Sequence, residues 1–275
     1  MMEILFSAFV FILGIIIGSF LNVVILRYNS GLSINGRSKC FSCSKTLAWY
    51  ELIPVFSFLF QKGKCRKCFS KVSLQYPLVE LATGVVFLAL YKRFIEFSFF
   101  DYSLATTDFI LLLVITSILI VIFVYDLRHK IIPDGLSYAF AVFALIRMFL
   151  LIDPSTYGTL ITKLNFLAGP ILFLPFYLLW KFSKGKWIGL GDGKLAVGIG
   201  WMLGFIYGLS AIVLAFWIGA AFSIALLLIL RLKNQGSRIT MKTVIPFAPF
   251  MILGAMIVFF FGLDVLSLEL LFNTL

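Results

Sequence analysis

Long apolar runs alternate with short polar connectors along this chain, and each run approaches the length of a bilayer crossing. Ile4–Leu26 is uninterrupted. A polar stretch from Arg27 to Gln75 follows, and then come runs at Pro77–Tyr91, Phe109–Tyr125, Leu136–Ile152, Leu164–Trp180, Leu195–Tyr207, Leu209–Leu230 and Ile245–Leu263. A crossing helix takes roughly 20 residues, so the pattern predicts an all-α, polytopic membrane helix bundle of about eight spans. The stretch from Leu195 to Leu230 is too long for one crossing and carries Gly198, Gly200, Gly204 and Gly208. It is therefore divided in two, and its first part is expected to be short or partly re-entrant. No Lys or Arg precedes the first run and no small-residue cleavage site follows it, so a retained helix is expected and not a removed signal peptide. Three segments result: a first transmembrane helix at 1–26, a polar loop at 27–75, and a bundle at 76–275.

Composition sharpens this picture. Of 275 residues, 62% are hydrophobic and 13% charged, against roughly 45–50% and about 25% in soluble domains. A soluble globular fold, a collagenous chain and a disordered chain are excluded. The net charge of +11 is read loop by loop, because in a membrane protein Lys and Arg mark the cytoplasmic side; nucleic acid is not an expected partner. Nineteen of the 23 basic residues fall in alternating connectors. Nine lie in the 27–75 loop, and the others are Arg128 and Lys130, then Lys181, Lys184, Lys186 and Lys194, then Arg231, Lys233, Arg238 and Lys242. The opposite side receives Lys92, Arg93 and Lys163 with most of the acids, namely Glu3, Glu96, Asp101, Asp108, Asp153, Asp264 and Glu269. Both termini are thus expected outside and the 27–75 loop in the cytoplasm.

That loop holds all four cysteines, as Cys40-Phe-Ser-Cys43 and Cys65-Arg-Lys-Cys68 with 21 residues between the pairs. Each C-x-x-C turn sets two sulfurs on one side of a metal, so the spacing predicts a zinc-ribbon-like tetrahedral thiolate site. Disulfides and free redox thiols are the alternatives, and a reducing cytosol disfavours disulfides. Four protein sulfurs leave no open coordination position, so the expected zinc is structural, pinning a loop too small for its own core.

Acids at the ends of spans are functional candidates by default. Asp126 closes the third run in VYDLRHKIIPD, and Asp192 opens the sixth in GLGDGK. The topology sets both at the cytoplasmic boundary. Two carboxylates brought together from different helices share one proton, one acting as base toward water and the other as acid, which is aspartic protease chemistry. The bland alternative for each is a solvated or Lys-paired helix end, with Arg128, Lys130 or Lys194 as partner. Gly189, Gly191 and Gly193 tilt the balance, because a backbone stripped of side chains would let a peptide reach Asp192. A phosphate loop fails at Ile188 and Leu195, where the pattern needs Gly and Ser or Thr.

These residues resemble the prepilin peptidases, leader peptidase and N-methyltransferase enzymes of type IV pili, type II secretion and competence systems, in the GxGD class of intramembrane aspartic proteases. The resemblance rests on GSFLNVVILR at Gly18–Arg27, the cysteine pairs, ELIPVFSFL at Glu51–Leu59, YPLVELATG at Tyr76–Gly84, DLRHKIIPD at Asp126–Asp134, GLGDGKL at Gly189–Leu195 and IPFAPF at Ile245–Phe250. It implies that Asp126 and Asp192 are the catalytic pair. It further implies cleavage of a short basic leader after Gly at the cytoplasmic face of a bacterial cytoplasmic (inner) membrane, with prepilin or pseudopilin substrates. The same resemblance implies N-methylation of the new N-terminal residue from S-adenosylmethionine, with the 27–75 loop methyltransferase-associated and 76–275 the peptidase core. Two departures stand out: Tyr28-Asn29 follows Arg27 where the family usually has Leu-Pro, and Pro133 is followed by Asp134 where Asn is commoner. Asp134 is thereby a competing acid, or an N-cap of the next helix.

Other polar residues admit two readings. Glu51, the one acid in the loop, is the candidate cofactor-binding residue, or it pairs with a neighbouring base. Glu80 binds a substrate amine or anchors the loop through a buried hydrogen bond, and the second is preferred. His129 packs at the interface beside Asp126, and Asn22 makes an interhelical hydrogen bond. Two further functions stand as alternatives: a leader peptidase without methyltransferase activity, and a proton-coupled transporter. Transporter sites lie near the midplane, often in repeated architecture, and no repeat links the two Asp segments.

Overall fold

The computed structural model describes residues 2–31, 33–97, 102–152, 159–232 and 245–268. Helices dominate these residues: α1 (Met2–Arg27), α2 (Phe56–Phe60), α3 (Gln75–Phe97), α4 (Tyr102–His129), α5 (Asp134–Leu151), α6 (Leu160–Ser183), α7 (Leu190–Leu232) and α8 (Ala248–Phe261), with one 3-10 turn at Trp49–Glu51. Among them no strand forms, and two isolated antiparallel bridges occur in the cysteine loop. Five helices are long and apolar enough to cross a membrane: α1, α5, α6, the Ser103–His129 part of α4, and the Leu190–Ile229 part of α7. This is a multi-pass membrane protein. Within α3, Glu80, Lys92 and Arg93 dilute the apolar character, and α8 has only 14 residues. Of the charges that set the expected topology, Asp101, Asp153, Lys233, Arg238, Lys242 and Glu269, and the side chains of Glu96 and Arg231, lie outside the described residues.

Two compact units divide the chain, Met1–Val121 and Ile122–Leu275. In the first, α1 packs along α3. Small residues allow the approach, since a Cβ at Gly14 would sit 2.8 Å from the Gly84 Cα and one at Gly18 would sit 2.8 Å from the Glu80 Cα. Close helix contact of this kind, with polar side chains as bridges, is how helices associate in lipid. Asn22 supplies the bridge, donating to the Tyr76 carbonyl at 3.2 Å and accepting from Gln75 Nε2 at 3.2 Å. By contact α3 pairs with α1, and the cysteine loop is tied to it through the Val55 N–H on Glu80.

In the second unit α7 packs against α5, α6 and α8. At 43 residues a continuous helix would be about 65 Å long, twice the hydrocarbon thickness. It breaks at Gly204, where φ is 80° and ψ is −179°, a conformation essentially reserved for glycine. The Asn165 side chain from α6 accepts the Phe205 N–H at 3.0 Å, capping the second half. Membrane backbone breaks persist only where such partners exist. The break thus falls at Gly204 and not between Tyr207 and Leu209, because Gly200 and Gly208 serve close packing: added Cβ atoms there would meet the Ala168 backbone and Leu172 at 2.8 Å. A second satisfied defect lies beside it. Pro170 in α6 has no N–H for the Phe166 carbonyl, and Trp201 Nε1 donates to that oxygen at 3.0 Å.

Candidate active site and metal centre

Asp126 lies in the last turn of α4 and Asp192 in the first turn of α7. Both side chains are buried, the residues being 3% and 8% exposed, and Asp192 is close enough to Asp126 to interact with its charge. A backbone N–H reaches each carboxylate, that of Ala248 for Asp126 and that of Gly189 for Asp192. Asp126 Oδ2 is buried with no hydrogen-bond partner among the described residues. Such an atom is costly in a purely structural setting.

Lys194 pairs with neither of them. It forms an ion pair with Asp134 at 2.7 Å and lies over the Tyr138 ring, 5.2 Å from its centroid. Asp134 is the first residue of α5, with Pro133 as its N-cap; its side chain is 64% exposed. The competing acid is thus committed to a surface pair. The glycines around Asp192 divide their work. An added Cβ at Gly189 would stand 3.5 Å from Asp192 Oδ2. Gly191 and Gly193 instead accommodate packing, with Ile132 and Phe173 each 3.0 Å from where a Cβ would be. His129 stacks on Tyr125 at 4.4 Å between centroids.

In the first unit all four cysteine Sγ atoms lie within 4.8 Å of one another. The Cys40 and Cys68 sulfurs are 3.8 Å apart, and a tetrahedron with Zn–S bonds near 2.3 Å has edges of about 3.8 Å. The two turns repeat each other bond for bond. Cys40 N–H donates to the Lys45 carbonyl and Ser44 N–H to the Cys40 carbonyl; Cys65 N–H donates to the Ser70 carbonyl and Phe69 N–H to the Cys65 carbonyl, all at 2.9 Å. Ser44 and Phe69 take matching φ values of 56° and 57°. Bridges Lys39–Thr46 and Lys64–Lys71 close the turns. The amides of Cys43 and Ser42 bring the Cys40 thiol down to about 6, and the Ser70 hydroxyl lowers Cys68. Against the lowering effect of the Lys45 amide, burial and the sulfurs of Cys68, Cys40 and Cys65 push the Cys43 thiol up to about 11; the four sulfurs stand in the arrangement zinc takes.

Glu51 is buried in this loop, 5% exposed. Lys45 Nζ contacts both carboxylate oxygens at 3.0 and 3.1 Å, and the Ala48 N–H donates to Oε2 at 2.9 Å. The Ala48 amide and the Lys45 ammonium hold the carboxyl below its usual range against the opposing effect of burial. This is the neighbour-pairing alternative, with the carboxylate turned to the loop's own backbone. Glu80 accepts the Val55 N–H at 2.7 Å, the anchoring alternative.

The comparisons with known proteins place these features. Residues 12–94 match the Bacterial Peptidase A24 N-terminal domain, and residues 113–224 match the Type IV leader peptidase family. A prepilin leader peptidase/N-methyltransferase of Bacillus subtilis (strain 168) is 34% identical over 260 residues, covering 94% of this chain and 95% of that protein. This chain belongs to the type IV leader peptidase family. A Myxococcus xanthus relative of the same description is 34% identical over 229 residues, 82% of this chain and 64% of its own length; the chain thus spans somewhat under two thirds of that protein. A Vibrio cholerae relative is 29% identical over 230 residues, 77% of this chain and 85% of its own. No solved structure matches. Both acids lie within the leader peptidase match, and the four cysteines within the N-terminal one. Sequence reasoning missed two features of this structure. The Ala248 amide at Asp126 carries no side-chain signal, although the Pro246 and Pro249 spacing marks the α8 start. Arg147, an isolated cation inside an apolar run, was legible as an anomaly; it donates to the Met202 carbonyl at 3.0 Å, just before the α7 break.

Proposed function

We propose that this chain is a membrane aspartic endopeptidase that removes the basic leader of type IV prepilin-like proteins after Gly, and that it then N-methylates the exposed residue. The observation that carries the reading is the pair of buried carboxylates from α4 and α7, within charge–charge reach of each other in a family of leader peptidases. One carboxylate takes a proton from water as the water oxygen attacks the scissile carbonyl carbon, and the other gives its proton to the carbonyl oxygen, forming a gem-diol. When the C–N bond breaks, the protonated carboxyl gives its proton to the leaving amine and a gem-diol hydroxyl gives one back to the other carboxylate, so the dyad is again singly protonated. Burial and the Ala248 and Gly189 amides fix the two carboxylates, so geometry is set before substrate arrives. The unpartnered Asp126 Oδ2 is the oxygen free to receive the water proton.

Cys40, Cys43, Cys65 and Cys68 hold a structural zinc, which supplies folding energy to the loop and no open coordination position. S-adenosylmethionine is the methyl donor, and the free amine of the cut product must lose a proton to accept the methyl group, so cleavage precedes methylation. Glu51 serves by keeping the loop shaped through Lys45 and Ala48, in preference to touching the cofactor. The distribution of basic residues supports a cytoplasmic position for the 27–75 loop and both acids, and the bacterial relatives favour the inner membrane as the setting.

The test is incubation of the purified protein with a candidate prepilin, with and without S-adenosylmethionine, followed by intact-mass analysis. Loss of the leader with gain of one methyl group is expected. Loss of the leader alone would leave a peptidase without methyltransferase activity, and an unchanged substrate would remove the enzymatic reading.

A further inference from the structure

Between the two cysteine pairs lies a segment ill suited to water. Phe56, Leu59 and Phe60 on α2 are 59%, 63% and 79% exposed, while Phe58 turns inward and covers Gly63, where a Cβ would meet its ring at 3.0 Å. Phe41, Trp49 and Phe69 of the same loop are exposed as well, at 76%, 78% and 72%, so the α2 edge belongs to a wider exposed apolar surface. The position of α2 along the molecule is fixed by the 2.7 Å bond from Val55 N–H to Glu80. Helical side chains lean toward the N-terminus, so a carboxyl from Glu80 lies over the first turn of α3. At that level Leu78 points outward, 62% exposed, as a lipid-facing residue does. α2 thus begins level with the first turn of α3, the helix that packs along the membrane-capable α1.

Charge supplies the second observation. Lys62, Lys64 and Lys67 follow directly and are exposed. The one acid of the loop, Glu51, is buried against Lys45, so nothing in the loop neutralises them. A short apolar edge beside unbalanced lysines at the end of a span is the pattern of an interfacial segment, with rings at the acyl boundary and ammonium groups on lipid phosphates. We propose that Phe56, Leu59 and Phe60 insert into the leaflet from which α3 starts, and that Lys62, Lys64 and Lys67 hold its anionic headgroups. The cysteine module then rests on the bilayer as an interfacial module. The inference relies on the membrane setting of α3 and is independent of the catalytic reading.

The test uses the full-length protein in nanodiscs of phosphatidylglycerol and phosphatidylcholine, with the photo-crosslinker benzoylphenylalanine replacing Phe60 and, separately, Leu78. After irradiation, intact-mass analysis should find phospholipid adducts at both positions. At Phe60 the phosphatidylglycerol adduct should be enriched by at least about five-fold, the factor that one lysine supplies near an anionic surface. Changing Lys62, Lys64 and Lys67 to Ser should abolish that enrichment and leave lipid labelling at Leu78 unchanged. Lipid adducts at Leu78 with none at Phe60, or a Phe60 adduct to a second copy or to added prepilin, would overturn the proposal. Absence of lipid at both positions would overturn it together with the membrane placement of α3.

Discussion

Replacing Glu80 with leucine should loosen the segment beginning at Val55 while leaving α3 in place. Val55 is a β-branched residue at φ 61° and ψ −55°, the centre of a γ-turn closed by the Phe56 N–H on the Pro54 carbonyl at 2.6 Å. Conformations this sparsely populated cost about 1–3 kcal/mol and persist only where the surroundings enforce them. The enforcing contact is the Glu80 carboxyl, in a residue 5% exposed, which accepts the Val55 N–H at 2.7 Å. Leucine fills the same space without an acceptor, and an orphaned N–H costs about 1–3 kcal/mol. Local opening should become easier by that amount, which is about 5- to 150-fold in amide exchange at about 1.4 kcal/mol per tenfold. Hydrogen–deuterium exchange of the peptide spanning Leu52–Phe60, measured in the full-length protein, reads this directly. Glu80→Gln keeps an acceptor and should stay within a few-fold of wild type. Val55→Gly removes the strain and should slow exchange in the Glu80→Leu background. Unchanged exchange in Glu80→Leu would refute the reasoning.

Paired Cys40→Ser and Cys68→Ser changes should release zinc, measured by metal analysis, and impair methylation at least as much as cleavage. Since protons compete with metal for thiolate, zinc retention after dialysis should fall as pH drops. Glu51→Gln should give cleaved but poorly methylated product by intact mass, with zinc retained. The Glu51 carboxyl is held below its ordinary value of 4.5, so its contribution to the loop is complete above that value and is lost only as pH falls further. Loop stability followed by proteolysis should therefore not depend on Glu51 ionisation near neutral pH. Asp134→Asn breaks an ion pair whose carboxylate is 64% exposed, and such pairs contribute about 1 kcal/mol or less, so activity should stay within about an order of magnitude.

Most of the helices were legible because lipid demands long apolar runs with internally bonded backbone, which leaves few alternatives. The cysteine spacing and the two acids were legible for a similar reason: each is chemically expensive where it stands. What the sequence did not expose depends on contacts between distant residues. Among Gly198, Gly200, Gly204 and Gly208 of α7, only tertiary packing distinguishes Gly204, which takes a φ of 80° beside Asn165, from those that admit neighbouring helices. Gly191 and Gly193 looked like a path for substrate, yet they make room for Ile132 and Phe173. Glu51 read equally well as a ligand or as a structural acid until Lys45 and Ala48 were placed against it. The Trp201 bond to Phe166 required knowing that Pro170 leaves a carbonyl unpaired opposite that indole.

The most direct test of the central claim is the intact mass of a prepilin substrate after incubation with Asp126→Asn and with Asp192→Asn, each purified and shown to be inserted normally. A single remaining carboxylate cannot exchange acid and base roles, so each change should lower leader removal by about 100- to 10,000-fold, with no methyl gain on the uncut chain. Wild-type rates of leader removal by either variant would contradict the assignment of the dyad.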